Sequence, residues 1–263
     1  MKLIFQSSFF LFFSFNLLFA QTENRYNLNQ FGKETIEFVK IPLEADRNDF
    51  MTLGIISAGA LLAMQADQPV RDAVMKDRRY YSSFPMKFGK AWGDLYTAPA
   101  IALLTGLYGN LSGNKTYSKI GFEIMQTMLY SGMVTGFIKA AAGRARPFTD
   151  KGSSFYKPFT FFDDDYHSLP SGHATLAFGL STVLANNTDS DYLKALFYLP
   201  AVLTAVSRVY HDNHWTSDVL LGAAIGYLTA RWVYGKHARN DSSEQIGFMQ
   251  GGEFNWIYVK INF

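Results

Sequence analysis

Six apolar stretches of helical length, separated by charged or Gly- and Pro-rich breaks, constrain this chain more than any other feature. They occupy residues 51–66, 96–108, 124–138, 172–185, 195–206 and 219–230. Each is longer than the roughly 4–8 residues of a buried strand, so the pattern reads as helix. The breaks include 67–79, 109–115 and 144–158. No repeat, low-complexity segment or interdomain linker interrupts the series. The expected fold is all-α, a single helical bundle. Hydrophobic residues make up 48% of the 263, enough for one sizeable core and too many for a disordered chain.

The two ends depart from the helical pattern. Lys2, a Phe- and Leu-dominated run to Phe19, and Ala20 before Gln21 read as a signal peptide over residues 1–20. The helical domain is expected over 21–240. Its first part, 21–47, is polar and mixed, with a short strand expected over 35–41. A tail follows over 241–263. There Gly251 and Gly252 precede a run rich in aromatic and β-branched residues. That run reads as a strand packed on the bundle or on 35–41.

A membrane-spanning helix needs about 20 mostly apolar residues. The uncharged runs 51–66 and 195–207 are shorter, and mean hydropathy is −0.02. The expectation is a protein carried across the cytoplasmic membrane to the periplasm or cell envelope. It would be soluble or peripheral at a membrane surface rather than integral. A net charge of +2 gives no bulk attraction to nucleic acid. The absence of cysteine excludes disulfides and thiolate metal sites.

Three segments carry chemistry. The first runs from Lys139 through Arg146 to Pro147 and places cations at a helix end and in the turn after it. Its plainer reading is cations complementing the helix macrodipole. In the second, Ser168-Leu-Pro170-Ser171-Gly172-His173, residues 170–172 form a helix start whose free N–H groups can hold an anion. Its plainer reading is an ordinary capped helix with an exposed histidine. The third runs from Ser207-Arg208 to His214 and Asp218. The last two are four residues apart and share a face if a helix begins near Trp215. A carboxylate on one imidazole nitrogen would fix the tautomer and leave the other nitrogen as a nucleophile. His211 competes but has no Asp four residues on.

Together the segments supply what phosphoryl transfer needs: cations, backbone donors, a nucleophile with an orienting acid, and a second histidine for the leaving group. They resemble the K-x-x-x-x-x-x-R-P, P-S-G-H and S-R-x-x-x-x-x-H-x-x-x-D signatures of the type 2 phosphatidic acid phosphatase and haloperoxidase superfamily. Every signature position matches, across 139–218. The resemblance implies that His214 attacks phosphorus, His173 acts as acid and then base, and Asp218 orients His214. Lys139, Arg146 and Arg208, with Ser171 and the Gly172 amide, would hold the phosphate. It implies no metal and no cofactor, and a substrate that is a phosphorylated lipid or a small phosphoester. Vanadate-dependent haloperoxidation, or an inactive envelope protein, are the alternatives. Outside the signature, Arg144 is expected as a solvated cation or one standing behind the site. Asp163, Asp164 and Asp165 are expected as a solvated charge run, and Trp215 as a packing residue.

Overall fold

The computed structural model describes residues 26–243, 246–251 and 254–259. The expected signal peptide lies outside them. Helix α1 spans Leu28–Glu44 and α2 spans Arg47–Lys76. Asn27 caps α1, accepting from Gln30 N at 2.9 Å. A reciprocal box between Asp46 and Asp49 starts α2. Then come α3 (Phe84–Trp92), α4 (Thr97–Ser112), α5 (Lys115–Ala142), α6 (Gly172–Asn186), α7 (Asp191–Tyr210) and α8 (Thr216–Ser243). Two short 3-10 turns, Pro147–Thr149 and Asp164–Tyr166, lie in the α5–α6 connection.

All six apolar stretches fall within helices, apart from Tyr96, which caps α4, and the all-α bundle is the observed architecture. Helix α6 packs against α5, α7 and α8. Its approach to α8 is nearly backbone to backbone. A Cβ on Gly222 would lie 2.4 Å from the Ser171 carbonyl oxygen, and one on Gly226 2.1 Å from that of Thr175. Only glycine permits this spacing. Phe122, Ile124, Leu180, Val183 and Ala230 form the buried core. Helix α5 stops at Gly143, whose φ of 59° takes the left-handed region that ends helices.

The helix directions gather four termini at one end of the bundle. These are the last turns of α5 and α7 and the first turns of α6 and α8. Along α8, Asp218 and His237 are 19 residues apart (237 − 218), or about 28 Å at the helical rise.

Three expectations change. The segment 35–41 is helix, not strand. Phe31, Glu34 and Phe38 turn inward at helical spacing, and Phe38 stacks on Tyr130. The interleaved Lys33, Glu37 and Lys40 disguise that face in the sequence. The break expected at 67–79 begins only after Lys76, because Asp67 is buried and ion-paired rather than turned to water. The tail does contain a strand, Phe254–Val259. It pairs antiparallel with Ile246–Gly251 in a hairpin, and 35–41 takes no part.

Candidate active site

The loop from His211 to Trp215, between α7 and α8, is held at several points. The Arg208 carbonyl accepts from the N–H groups of Asn213 (3.1 Å) and His214 (3.3 Å). Asp212, at φ 60°, receives a two-pronged Arg71 guanidinium at 2.7 and 2.8 Å. Trp215 is buried and donates its indole N–H to the Ala145 carbonyl at 2.9 Å. It is a packing residue, as expected.

This scaffold fixes His214. Its Nδ1 lies 2.8 Å from the Ser168 carbonyl oxygen, which can only accept. Nδ1 therefore carries the hydrogen, and Nε2 carries the lone pair. Among the described residues, Nε2 has no hydrogen-bond partner. Burial, then the charges of Lys139, Arg146 and Arg208, hold the imidazole well below the usual histidine range, so the ring is neutral.

The Asp218 carboxylate stands 3.9 Å from Nδ1, beyond a hydrogen bond. It instead accepts from Arg144 Nη1 at 2.6 Å, from the Trp215 amide at 2.9 Å and from the Ser168 hydroxyl. Ser168 thus joins the pair: its carbonyl takes the His214 hydrogen and its hydroxyl grips Asp218. The orienting contact expected directly from Asp218 runs through Ser168.

Behind Asp218, Arg144 is fully buried and not solvated. It bridges Asp218 to Asp67 of α2, at 2.7 Å, and also donates to Ser217 Oγ at 2.7 Å. Asp67 receives the Ser217 amide at 2.9 Å and the Ser217 hydroxyl at 2.6 Å. Arg144 takes the second of its two expected places, behind the site, whereas Asp67 and Ser168 are site residues that the motifs did not mark. The one available signal was a lone acid, Asp67, closing an otherwise uncharged run.

The facing wall is cationic. Ser171 caps α6 and donates its own N–H to the Asp218 carbonyl at 2.9 Å. Gly172 opens the helix, and a Cβ there would come within 3.9 Å of Lys139 Cε. Lys139 donates Nζ to the His167 carbonyl. Arg146 is held by the Asp164 carbonyl (2.8 Å) and carboxylate (2.7 Å). Arg208 is buried, and its Nε has no partner. Such an orphaned charged donor calls for an anion. His173 occupies the first turn of α6, beside these groups.

Both ring nitrogens of the competing histidine, His211, lie against backbone carbonyl oxygens, those of Ser207 at 2.7 Å and Tyr81 at 3.1 Å, so neither faces an open position. Of the three aspartates, Asp164 is committed to Arg146. Among the described residues, no group of three or more His, Cys, Asp or Glu could hold a metal ion.

The model of a family described as the PAP2 superfamily matches residues 121–242. The resemblance carried by the three motifs is thereby shown. A lipid A 1-phosphatase of Porphyromonas gingivalis is 39% identical over 70 residues, 26% of this chain and 16% of that protein. One from Rhizobium etli is 32% identical over 111 residues, 41% of this chain and 47% of that protein. The chain thus spans less than half the length of either relative. Among solved structures, a transmembrane PAP2-type phosphatidylglycerolphosphate phosphatase from Bacillus subtilis superposes with a TM-score of 0.57 at 21% identity. The match covers 72% of this chain and 94% of that one.

That fold corrects the expectation of a soluble or peripheral protein. Helices α2 and α7 each contain a stretch long and apolar enough to cross a membrane, and none of the α2 stretch is buried. Phe50, Leu53, Ile55, Leu61 and Leu62 all face outward. The uncharged runs underestimated α2 because Asp67 is neutralised internally by Arg144. The helix has 30 residues, about 45 Å of length. The chain is read as integral to a membrane.

Proposed function

We propose that this chain, whose residues 121–242 match the PAP2 superfamily, hydrolyses lipid-borne phosphate esters through a phosphohistidine. The observation that carries the proposal is His214. Its Nδ1 hydrogen is fixed by the Ser168 carbonyl, and its Nε2 lone pair is left free beside three cations.

Lys139, Arg146, Arg208 and the α6 N-terminus would hold the phosphate oxygens. Nε2 of His214 attacks phosphorus, an N–P bond forms, and the bond to the ester oxygen breaks. Burial and the charge of Arg208 push the His173 imidazole down to about 4. It becomes an acid by taking up a proton with the entering phosphate, whose negative charge offsets the cations, and it then gives that proton to the leaving oxygen. Neutral His173 then takes a proton from water. The water oxygen attacks phosphorus, the N–P bond breaks, and phosphate leaves with His214 restored. A lipid substrate is supported by the lipid A 1-phosphatase relatives and by the membrane fold.

Phosphate release from lipid A, phosphatidic acid and an isoprenoid diphosphate in mixed micelles tests the proposal. Release is expected from at least one, undiminished by EDTA and absent in His214→Ala. Activity that EDTA abolishes and magnesium restores would contradict it.

A further inference from the structure

The connection between α5 and α6 presents an aromatic turn to the outside, at the end of the bundle where the catalytic groups meet. Phe162 is 102% exposed, Phe159 74% and Phe161 61%. Soluble surfaces rarely gather such residues in one place. This turn is also not slack. Phe159 has φ 60°, a conformation that a bulky side chain seldom adopts. Thr160 fixes it on both sides. Its hydroxyl donates to the Lys157 carbonyl at 2.7 Å, and its carbonyl oxygen lies 2.8 Å from His167 Nε2. The backbone therefore holds the phenyl rings outward.

Two further observations say what the rings meet. Tyr156, just before the turn, places its hydroxyl 3.9 Å from Met64 Sδ on α2, within that helix's exposed apolar run. The segment leading into the turn thus touches α2 inside its exposed apolar run. Lys151 and Lys157 precede the turn, each ammonium lying over the buried Tyr166 ring at 4.5 and 4.9 Å, and Asp163, Asp164 and Asp165 follow it. Exposed aromatic rings bordered by charged side chains fit a membrane–water interface.

We propose that the turn 159–162 inserts its phenylalanines into the bilayer interface on the active-site side, and so brings lipid-borne phosphate to the pocket. The path inward is short. His167 holds the turn through its ring and receives Lys139 on its carbonyl. One residue thus links the inserted turn to a phosphate-binding cation. The proposal rests on the lipid phosphatase reading above for its role, but not for the contact itself.

The chain has no cysteine, so Phe162→Cys gives a unique labelling position. The labelled full chain would be reconstituted into phosphatidylethanolamine and phosphatidylglycerol vesicles. A fluorophore at 162 should be quenched by nitroxide-labelled lipid and shielded from aqueous iodide. The reverse pattern would overturn the insertion whether or not the protein is a phosphatase. A second arm uses Phe161→Ser with Phe162→Ser. KM for a long-chain phosphatidic acid should rise by about tenfold or more. Turnover of a short-chain, water-soluble phosphate ester should stay unchanged. An equal loss on both substrates, or on neither, would overturn the delivery role. Wild-type protein inactive on every ester, with the label still quenched by lipid, would count against the phosphatase reading and leave the insertion standing.

Discussion

Two buried charge clusters occupy opposite ends of the bundle, about 28 Å apart along α8. At the far end, His237 lies between two carboxylates, Glu123 at 3.0 Å and Glu34 at 3.2 Å. Glu34 also receives Gln126 and Gln30, and Glu123 receives Asn187. The ionic groups there answer one another. At the candidate catalytic end Asp67, Arg144 and Asp218 form a similarly closed unit, but in front of it, beside Arg146 paired to Asp164, stand Lys139 and Arg208, which have no carboxylate partner among the described residues. Arg208 Nε, buried and unpartnered, has no equivalent among the far cluster's charged groups. A closed cluster ties helices together. An open one waits for a ligand, and the difference separates a structural tie from a site.

The predictions press on that contrast, and after loss of His214 itself the largest effect belongs to the proposed acid. His173→Ala should slow turnover of esters with poor leaving groups by about 10²–10⁴-fold. It should do far less for an activated aryl phosphate, whose leaving oxygen needs no proton. Steady-state rates on the two ester types measure the gap, and equal losses would remove His173 from its role.

Arg208→Ala takes away the orphaned donor. Phosphate release should fall by about 10²–10³-fold, the range for losing one oxyanion donor. His237→Ala is the matched change at the closed end. It leaves two buried carboxylates facing each other and should lower stability by about 3–5 kcal/mol. Turnover per folded molecule should hold. Thermal unfolding with active-site titration reads both, and a kcat loss in His237→Ala would erase the distinction between the clusters.

Asp67→Asn weakens the charge behind Arg144 without touching the phosphate wall. Turnover should drop by about tenfold with KM little changed. A rise in KM alone would mean that Asp67 serves binding.

The smallest effect concerns pH. His214 is held well below the usual histidine range by burial and the three cations. A lowered pKa keeps this proposed nucleophile neutral as pH falls through about 6.5, the ordinary imidazole value. The acid limb of kcat/KM assigned to this group should therefore lie below that value. A limb at or above it would mean that His214 is solvated.

The helical bundle was legible because apolar runs of 12 or more residues leave no strand alternative, and because the motifs mark helix starts and stops. Less legible was what depends on partners far along the chain. Helix α1 looked like mixed polar sequence because its inward Phe31, Glu34 and Phe38 alternate with outward charges. Helix α2 looked too short because Asp67 reads as a break until Arg144, 77 residues on, neutralises it. Ser168 carries no signal at all as an orienter, since its contact with His214 is made by a backbone carbonyl. The preference for His214 over His211 came from the spacing to Asp218, yet the contact that fixes the His214 ring is with the Ser168 carbonyl.

The central claim is that His214 forms a bond to phosphorus. Rapid quenching during turnover of a radiolabelled phosphate ester, followed by peptide mapping, tests it most directly. The account predicts acid-labile, base-stable label on the peptide containing His214, lost in His214→Ala. Label on His173 or His211, or undiminished turnover in His214→Ala, would contradict it.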